Sequence, residues 1–279
     1  MFIWLASYPK SGNTLTRSLL ASYFFSQDGN FDFDVIKNIK QFPDASLFKN
    51  FDIDVKNEKE VIKNYIKVQE LINKKNDIQF FKTHSYLFNI DNNPFTNLDN
   101  SLGVIYIVRD PRNVLISASH HNQKSHEKTI KNIIDGYVIG EYDGTTLPVY
   151  SGNWSSNYKS WKSFKSVNKY LLVKYEDLIN DKEKTFQQIL KFIHKLKNID
   201  FTLDKKKFQN IIESTDFQKV QKLEDKKGFE ESMIDKNTGK KIKFFRSGAQ
   251  TDWQTSLEPA LASKIQNAFE KEMIELGYL

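Results

Sequence analysis

Four short apolar runs, each followed by polar or turn residues, constrain the fold of this chain more than any other feature of its sequence. Each run is brief and ends abruptly, as a buried strand does. The runs are Phe2–Ala6, Ile78–Phe81, Val104–Val108 and Tyr170–Val173. Because helical patterns separate them, the order of elements predicts an α/β protein. Its mostly parallel central sheet would be covered by helices on both faces, as a three-layer sandwich.

Helical signals fill the segments between and after these runs. The predicted helices are Thr14–Phe25, Lys59–Asn73, Pro111–His121, Lys182–Leu196 and a terminal helix over residues 261–276. Thr14 is a good capping residue, and Asp110 before Pro111 is typical of a helix start. The polar segment Glu224–Lys243 predicts a long surface loop or lid. Because we find no repeat and no low-complexity linker, we expect a single domain over residues 1–279.

Composition narrows the classes of function. The 279 residues include 41 Lys and Arg against 35 Asp and Glu, and this net charge of +6 favours an anionic ligand only weakly. The chain has no cysteine, which excludes disulfides, a thiolate nucleophile and cysteine-based zinc sites. No apolar run approaches the roughly 18–20 residues of a membrane span. Phe2–Ala6 is too short for the core of a signal peptide. We therefore expect a cytoplasmic protein without stable membrane insertion.

The first apolar run leads into the segment SYPKSGNT, residues 7–14, directly before a predicted helix. In a parallel sheet such a turn lies at the carboxyl end of the strand, where ligands bind. Gly12 allows close approach of the backbone, and the amides of Gly12, Asn13 and Thr14 would point from the helix N-terminus toward an anion. Lys10 adds a charge, and Ser11 and Thr14 add hydroxyl donors. The segment differs from the nucleoside-triphosphate loop because Lys10 precedes its only glycine.

Lys82 and His84 follow the second apolar run. Residues two apart share one side of an extended chain, so both would face the crevice of Lys10. A histidine can take a proton from an attacking hydroxyl near neutral pH, and Lys82 can stabilise charge on a transferring group. Arg109 follows the third run and would emerge near Lys10 if the sheet is parallel.

In order along the chain, these motifs resemble those of the sulfotransferases that use 3′-phosphoadenosine 5′-phosphosulfate (PAPS), as a bacterial-like member of the cytosolic type. Residues 8–14 match Y-P-K-S-G-[TN]-[TS], residues 82–84 match K-[TS]-H, and residues 109–114 match R-[DN]-P-[RK]-[DN]-V. Residues 175–178 match Y-E-D-L, and residues 246–253 are similar to R-[KS]-G-x-x-G-[DS]-W. The resemblance runs from residue 2 to about 279. It implies a fold similar to the P-loop nucleotide kinases.

The resemblance also implies an activity, the in-line transfer of a sulfuryl group from PAPS to a hydroxyl or amine. His84 is implied as the general base, and Lys10 and Lys82 would offset the developing negative charge. No metal is expected, since lysines and backbone amides take the metal's usual electrostatic place. The residues implied to bind the donor are Lys10, Ser11, Gly12, Asn13, Thr14, Leu15, Arg109, Ser117, Tyr175, Thr215, Phe217, Arg246, Ser247 and Gly248.

Within this set the family pattern assigns two subsites. Arg109 and Ser117 are implied to bind the 3′-phosphate, which an arginine fork suits because it donates two parallel hydrogen bonds. The segment that begins at Arg246 is implied to contribute to the same 3′-phosphate subsite, although Thr251 stands in place of the second glycine of the family pattern. Tyr175, Thr215 and Phe217 are implied on the adenine side. Leu15 stands where the small-molecule branch of the family often has a tryptophan.

Two other functions stay open from the sequence. One is an ATP-dependent phosphotransferase of the same fold, although the chain lacks the G-K-[ST] order. The other is a non-catalytic protein that binds the product, 3′-phosphoadenosine 5′-phosphate (PAP). The sequence does not indicate whether the acceptor is a small molecule, a glycan or a lipid. We expect no nucleic-acid partner, and the oligomeric state stays open.

Overall fold

The computed structural model describes residues 1–74, 78–235, 238–246 and 252–279. Its strands are β1 (Phe2–Ser7), β2 (Lys40–Gln41), β3 (Gln79–Thr83), β4 (Asn89–Ile90), β5 (Asn93–Pro94), β6 (Ser101–Val108), β7 (Tyr137–Ile139), β8 (Val149–Gly152) and β9 (Tyr170–Lys174). Five of these strands pair in parallel in the order β2-β3-β1-β6-β9. The pairs β4–β5 and β7–β8 are antiparallel and lie outside this sheet.

Helices connect and cover the strands. They are α1 (Asn13–Phe25), α2 (Phe33–Ile36), α3 (Ala45–Lys49), α4 (Glu58–Lys63), α5 (Tyr65–Asn73), α6 (Pro111–Asn122), α7 (His126–Asp135), α8 (Trp154–Lys162), α9 (Tyr175–Asn180), α10 (Lys182–Leu196), α11 (Lys205–Ser214), α12 (Phe217–Lys227), α13 (Trp253–Ser256) and α14 (Pro259–Glu275). A short 3₁₀ helix covers Ser163–Val167. The predicted α/β fold with a parallel central sheet is confirmed.

The central strands β1 and β6 are largely apolar because both faces of the sheet are buried. Along β1, Phe2 and Trp4 belong to one hydrophobic core, while Ile3 and Leu5 belong to another. Alternate side chains point to opposite faces of a strand, so these two cores lie on the two sides of the sheet. β6 divides its side chains between the same two cores. The sequence pattern of unbroken apolar runs follows from this double burial.

The four predicted strands are confirmed as β1, β3, β6 and β9. β2 has only two residues and was not predicted. The predicted helix Lys59–Asn73 is interrupted at Asn64, which separates α4 from α5. Asp110 is confirmed as the N-cap of α6, where its carboxylate accepts the amide proton of Arg112. The helices predicted over residues 182–196 and 261–276 are confirmed as α10 and α14.

Two predictions about the helix and loop boundaries need correction. The prediction that Thr14 caps the first helix is wrong, because α1 begins at Asn13 and its N-cap is Gly12. The predicted loop Glu224–Lys243 begins too early, because α12 continues to Lys227 and Glu224 is buried. Between α12 and Arg246, the described residues 228–235 and 238–246 are irregular except for an isolated bridge between Ile234 and Lys241. Within the described ranges, no helix has the length and apolar character needed to cross a bilayer.

Candidate active site

The parallel strands bring the predicted site residues to one edge of the sheet, because the segments that follow β1, β3, β6 and β9 meet there. A cavity of ≈720 Å³ lies at this edge. The predicted site residues that line it are Lys10, Gly12, Asn13, Thr14, Leu15, Lys82, His84, Arg109, Ser117, Tyr175, Thr215, Phe217 and Arg246. Ser11 is buried beside them. Ser247, Gly248 and Thr251 lie outside the described residues.

The loop between β1 and α1 needs glycine at position 12 for two reasons. Gly12 has a φ of 101°, in the region that favours glycine. A Cβ atom there would also lie 2.4 Å from Cδ2 of Tyr175, well inside van der Waals contact. The aromatic ring of Tyr175 therefore packs directly against the loop backbone. The first amides of α1 have no partner inside the helix, as at any helix N-terminus, and can donate to an anion.

Buried donors around this loop fit an anionic ligand. The hydroxyl of Ser11 and Nε of Arg109 are both buried, and neither has a hydrogen-bond partner among the described residues. Buried polar groups are ordinarily hydrogen-bonded, so unpaired donors beside a cavity suit a ligand rich in acceptor oxygens. Asn13 fixes the loop to its strand, because its Nδ2 donates to the carbonyl oxygen of Leu5 over 2.9 Å. The residues present therefore fit a phosphate or phosphosulfate group.

Lys10 and Lys82 place two ammonium groups in the cavity. Burial lowers the pKa of Lys10 to about 8, and the charges of Lys82 and Arg109 act in the same direction, while Glu231 opposes them. Burial also lowers the pKa of Lys82. Nζ of Lys10 lies 4.3 Å from the ring centre of Phe244, which covers it. Both lysines have poor solvation, which strengthens their attraction for a bound anion.

The tautomer of His84 follows from its contacts with β1. Nδ1 lies 2.9 Å from the carbonyl oxygen of Ser7 and 3.1 Å from Oγ of the same residue. Because a carbonyl oxygen only accepts, we assign the ring proton to Nδ1 and the lone pair to Nε2. Burial, reinforced by the charge of Lys82, lowers the pKa of His84 to about 3. The imidazole is therefore neutral at physiological pH and keeps its lone pair on Nε2, and an anion bound in the cavity would raise its pKa toward the range that suits a general base.

Arg109 emerges after β6 and lies against the segment of residues 8–14, which we call the phosphate loop after the ligand that the sequence predicts for it. Its Nη1 donates to the carbonyl oxygen of Lys10 over 3.3 Å, and its guanidinium lies 4.3 Å from the ring centre of Tyr175. The expected proximity of Arg109 to Lys10 is confirmed. Ser117, on α6, also lines the cavity. The arginine is thus held by the loop and the tyrosine, and its buried Nε has no hydrogen-bond partner among the described residues.

The adenine side of the predicted site is largely apolar. Leu15 and Phe217 line the cavity from α1 and from the start of α12. The hydroxyl of Thr215 donates to the carbonyl oxygen of Ile211 over 2.7 Å, so its primary contact is within the protein. The carbonyl oxygen of Thr215 accepts from Nζ of Lys182 over 3.2 Å. Lys182 also lines the cavity, and its pKa is lowered by burial.

Glu231 brings a carboxylate to the same cavity from the loop after α12. Its Oε1 lies 2.6 Å from Nη1 of Arg17 and 3.4 Å from Nζ of Lys82. Its Oε2 accepts from the hydroxyl of Thr14 over 3.3 Å. Although burial opposes ionisation, Lys82 and Arg17 lower the pKa of Glu231 to about 2. The carboxylate is therefore ionised at physiological pH and neutralises part of the positive charge.

A second acidic residue, Glu224, holds the chain next to Arg246. Its carboxylate accepts the amide protons of Phe244 over 2.7 Å and of Phe245 over 2.9 Å. It also accepts from the hydroxyl of Ser232 over 2.7 Å. These bonds tie the end of the irregular segment back to α12, so Phe244 covers Lys10 and Arg246 lines the cavity.

Sequence reasoning missed several residues of this site. Arg17 lies three positions after Thr14, a helical spacing that could have indicated a shared face. Glu224, Glu231 and Lys182 carried no comparable signal, because their partners come from remote parts of the chain. Within the described residues, no three side chains of the types His, Asp and Glu are grouped so that they could hold a metal ion.

Curated proteins with similar sequences are sulfotransferases. Sulfotransferase 2A1 of Homo sapiens is 26% identical over 175 residues, which cover 62% of this chain and 57% of that protein. The 3-beta-hydroxysteroid sulfotransferase of Cavia porcellus is 23% identical over 209 residues, which cover 73% of this chain and 66% of that protein. The matched region thus spans between about half and two thirds of the length of these relatives.

Solved structures share the fold over nearly the whole chain. Mouse sulfotransferase SULT7A1 complexed with PAP has a TM-score of 0.59 at 20% identity, covering 97% of this chain and 83% of that one. Retinol dehydratase in complex with androsterone and PAP has a TM-score of 0.61 at 17% identity, covering 98% and 80%. The family model of the sulfotransferase domain matches residues 2–277. The chain therefore belongs to the sulfotransferase domain family.

Proposed function

We propose that residues 1–279 form a single sulfotransferase domain, which transfers a sulfuryl group from PAPS to a hydroxyl or amine. The observation that supports this most is a neutral His84 beside Lys82, in the cavity that the phosphate loop lines. A neutral histidine can act as a base, and poorly solvated lysines can stabilise the negative charge of the group that is transferred. Family membership supports the same reaction.

The donor would lie along the cavity from the phosphate loop to the adenine side. We propose that the loop from Lys10 to Thr14 binds the 5′-phosphosulfate, as its amides and the partner-free hydroxyl of Ser11 favour. Arg109, Ser117 and Arg246 would bind the 3′-phosphate. The family pattern adds Ser247 and Gly248 there, and Leu15, Tyr175, Thr215 and Phe217 around the adenine.

The proposed chemistry is a single in-line displacement. The acceptor oxygen or nitrogen forms a bond to sulfur while the bond between sulfur and the bridging phosphate oxygen breaks. Nε2 of His84 takes the acceptor's proton, and Lys10 and Lys82 offset the charge on the sulfuryl group and the leaving oxygen. The products are the sulfated acceptor and PAP. General-base assistance of this kind contributes roughly 10²–10⁴ in rate.

For the acceptor we propose a hydroxyl on a largely apolar small molecule or lipid. Tyr137, Val138 and Ile139 of β7 line the cavity, and Val138 is 49% exposed. An exposed apolar strand that borders a polar site suits a ligand with an apolar body and one reactive polar group. The named relatives include steroid sulfotransferases. A glycan acceptor would find fewer hydrogen-bond partners on this wall.

The direct test is transfer of label from ³⁵S-PAPS to a panel of sterols, fatty alcohols, phenols, amines and oligosaccharides. We expect a labelled product with an apolar alcohol, together with PAP in equal amount. Thermal unfolding in the presence of PAP and of ATP distinguishes a sulfotransferase from the alternative, an ATP-dependent phosphotransferase. PAP at 100 times its dissociation constant should add about 2.7 kcal/mol of stability.

ATP lacks a 3′-phosphate, so it should stabilise the protein much less at equal concentration. Equal stabilisation by the two nucleotides, with phosphate transfer from ATP, would favour the phosphotransferase. Strong PAP binding without turnover on any acceptor class would favour a non-catalytic PAP-binding protein.

A further inference from the structure

The carboxylate of Glu231 contacts the same groups that the proposed donor needs. The hydroxyl of Thr14 belongs to the phosphate loop, and Lys82 is proposed to offset charge on the sulfuryl group. Glu231 takes a hydrogen bond from Thr14 over 3.3 Å and lies 3.4 Å from Nζ of Lys82. Two anions in one poorly solvated site repel each other strongly. A bound 5′-phosphosulfate and Glu231 in this position therefore compete for the same donors.

Arg17 offers the carboxylate a partner when these contacts are lost. It lies one helical turn beyond Thr14 on α1, and its Nη1 makes the shortest contact of Glu231, at 2.6 Å. The side chain of Arg17 is 8% exposed and that of Glu231 is 29% exposed. A small rotation about the Arg17 contact would thus free Thr14 and Lys82 without leaving the arginine unpaired.

The loop around Glu231 is fixed at other points, so this side chain can act alone. The neighbouring Glu230 points away from the cavity, where its carboxylate pairs with Lys37 over 3.0 Å on the exposed surface. Glu224 holds the loop at its base through Ser232 and the amide of Phe244. Two adjacent glutamates thus differ in position, since one faces the cations of the cavity and the other faces solvent.

We propose that Glu231 is an internal counter-ion of the donor site, which the 5′-anion of the donor displaces from Thr14 and Lys82 and which returns as that anion leaves. The proposal rests on the proposed function, because it assumes that the phosphate loop binds the 5′-group. It gives Glu231 a defined effect on affinity: the carboxylate weakens binding of nucleotides that carry a 5′-phosphate or 5′-phosphosulfate. It also favours release of PAP after each transfer.

The test is calorimetric titration of the full chain and of Glu231→Gln with PAP and with adenosine 3′-monophosphate, which lacks the 5′-phosphate. Glu231→Gln removes the competing charge at almost constant volume, so PAP should bind about tenfold more tightly. Adenosine 3′-monophosphate should bind as it does to the parent. Glu230→Gln is the matched control, since it removes the same charge one residue away, and it should leave both affinities unchanged.

Several results would overturn the proposal. Weaker PAP binding by Glu231→Gln would mean that the carboxylate orients the cations for the ligand. Equal tightening by Glu230→Gln, or tightening of adenosine 3′-monophosphate, would reduce the effect to overall charge. If Glu231→Gln does not fold, Glu231→Asp serves instead. Its shorter reach should tighten PAP binding severalfold, and unchanged affinity would contradict us. Failure of the parent protein to bind PAP would count against the proposed function itself.

Discussion

His84 donates its Nδ1 proton to the carbonyl oxygen of Ser7 over 2.9 Å, and this one bond decides which ring nitrogen can act as a base. Ser7 is the last residue of β1 and is fully buried. The backbone of the central strand therefore orients a side chain that follows the neighbouring strand β3. Since burial lowers the pKa of His84 to about 3, Nε2 keeps its lone pair at physiological pH.

Replacement of His84 by alanine should abolish most turnover and spare nucleotide binding. Loss of a general base costs roughly 10²–10⁴ in rate, whereas PAP affinity should change little because the proposed donor contacts lie elsewhere. His194→Ala is the control, because Nδ1 of His194 also bonds to a backbone carbonyl, that of Leu190, away from the cavity. Single-turnover rates and PAP titrations measure the two effects. If His84→Ala has the single-turnover rate of the parent protein, another group is the base.

The pH dependence of kcat/KM should reflect Lys10 on the alkaline side. Its pKa of about 8 means that the free enzyme loses this charge as the pH rises through that value, and donor capture should fall with it. On the acid side His84 stays neutral down to about pH 3, so it should cause no loss between pH 5 and 7. A bound anionic donor raises the pKa of Lys10, and the fall in kcat should therefore come at higher pH than the fall in kcat/KM.

Lys10→Arg tests this assignment. Arginine keeps its charge throughout the accessible pH range. The fall of kcat/KM at alkaline pH should therefore move to higher pH in this variant, even if its maximal rate is lower. An alkaline fall that stays near pH 8 in Lys10→Arg would assign it to another group.

Gly12→Ala should damage both the fold and the site. The new Cβ would lie 2.4 Å from the ring of Tyr175, and the residue would have to keep a φ of 101°. Strained backbone of this kind costs about 1–3 kcal/mol before the clash is added. Gly239→Ala is a useful control, because Gly239 has a φ of 68° but a Cβ there meets nothing within 4 Å. We expect Gly12→Ala to lower the free energy of unfolding and PAP affinity more than Gly239→Ala does.

The sequence predicted those strands whose local apolar pattern matches their burial in the structure. β1 and β6 are buried on both faces, so their apolar runs were unambiguous. β2 is different, because Lys40–Gln41 is short and partly exposed and is recognisable as a strand only through its pairing with Phe81 and Lys82. Tertiary pairing, rather than composition, makes it a strand.

The same distinction holds within the candidate site. Lys10, Lys82 and His84 follow strands in compact motifs, so their convergence could be expected from a parallel sheet. Glu231 reaches Thr14 across 217 positions of the chain, from a loop whose composition indicates only solvent exposure. Its ionisation and its position depend on cations that other elements supply. Contacts of this kind cannot be read from spacing along the sequence.

The last prediction concerns Glu224, which we expect to act on the donor through Arg246. In Glu224→Gln the side-chain amide nitrogen cannot accept a hydrogen bond, so one of the two amides of Phe244 and Phe245 loses its acceptor. An unsatisfied polar group of this kind costs about 1–3 kcal/mol. The next residue, Arg246, should become less well placed, and PAP should bind roughly tenfold more weakly.

The choice of nucleotide distinguishes this positioning role from a general loss of stability. Adenosine 5′-monophosphate lacks the 3′-phosphate that Arg246 is proposed to bind, so its affinity should be almost unaffected in Glu224→Gln. Asp225→Asn removes the neighbouring exposed charge, which pairs with Lys243 over 2.6 Å, and should change neither affinity. Because the predicted defect depends on the 3′-phosphate, equal weakening of both nucleotides would indicate that Glu224 stabilises the whole cavity and not the 3′-phosphate subsite.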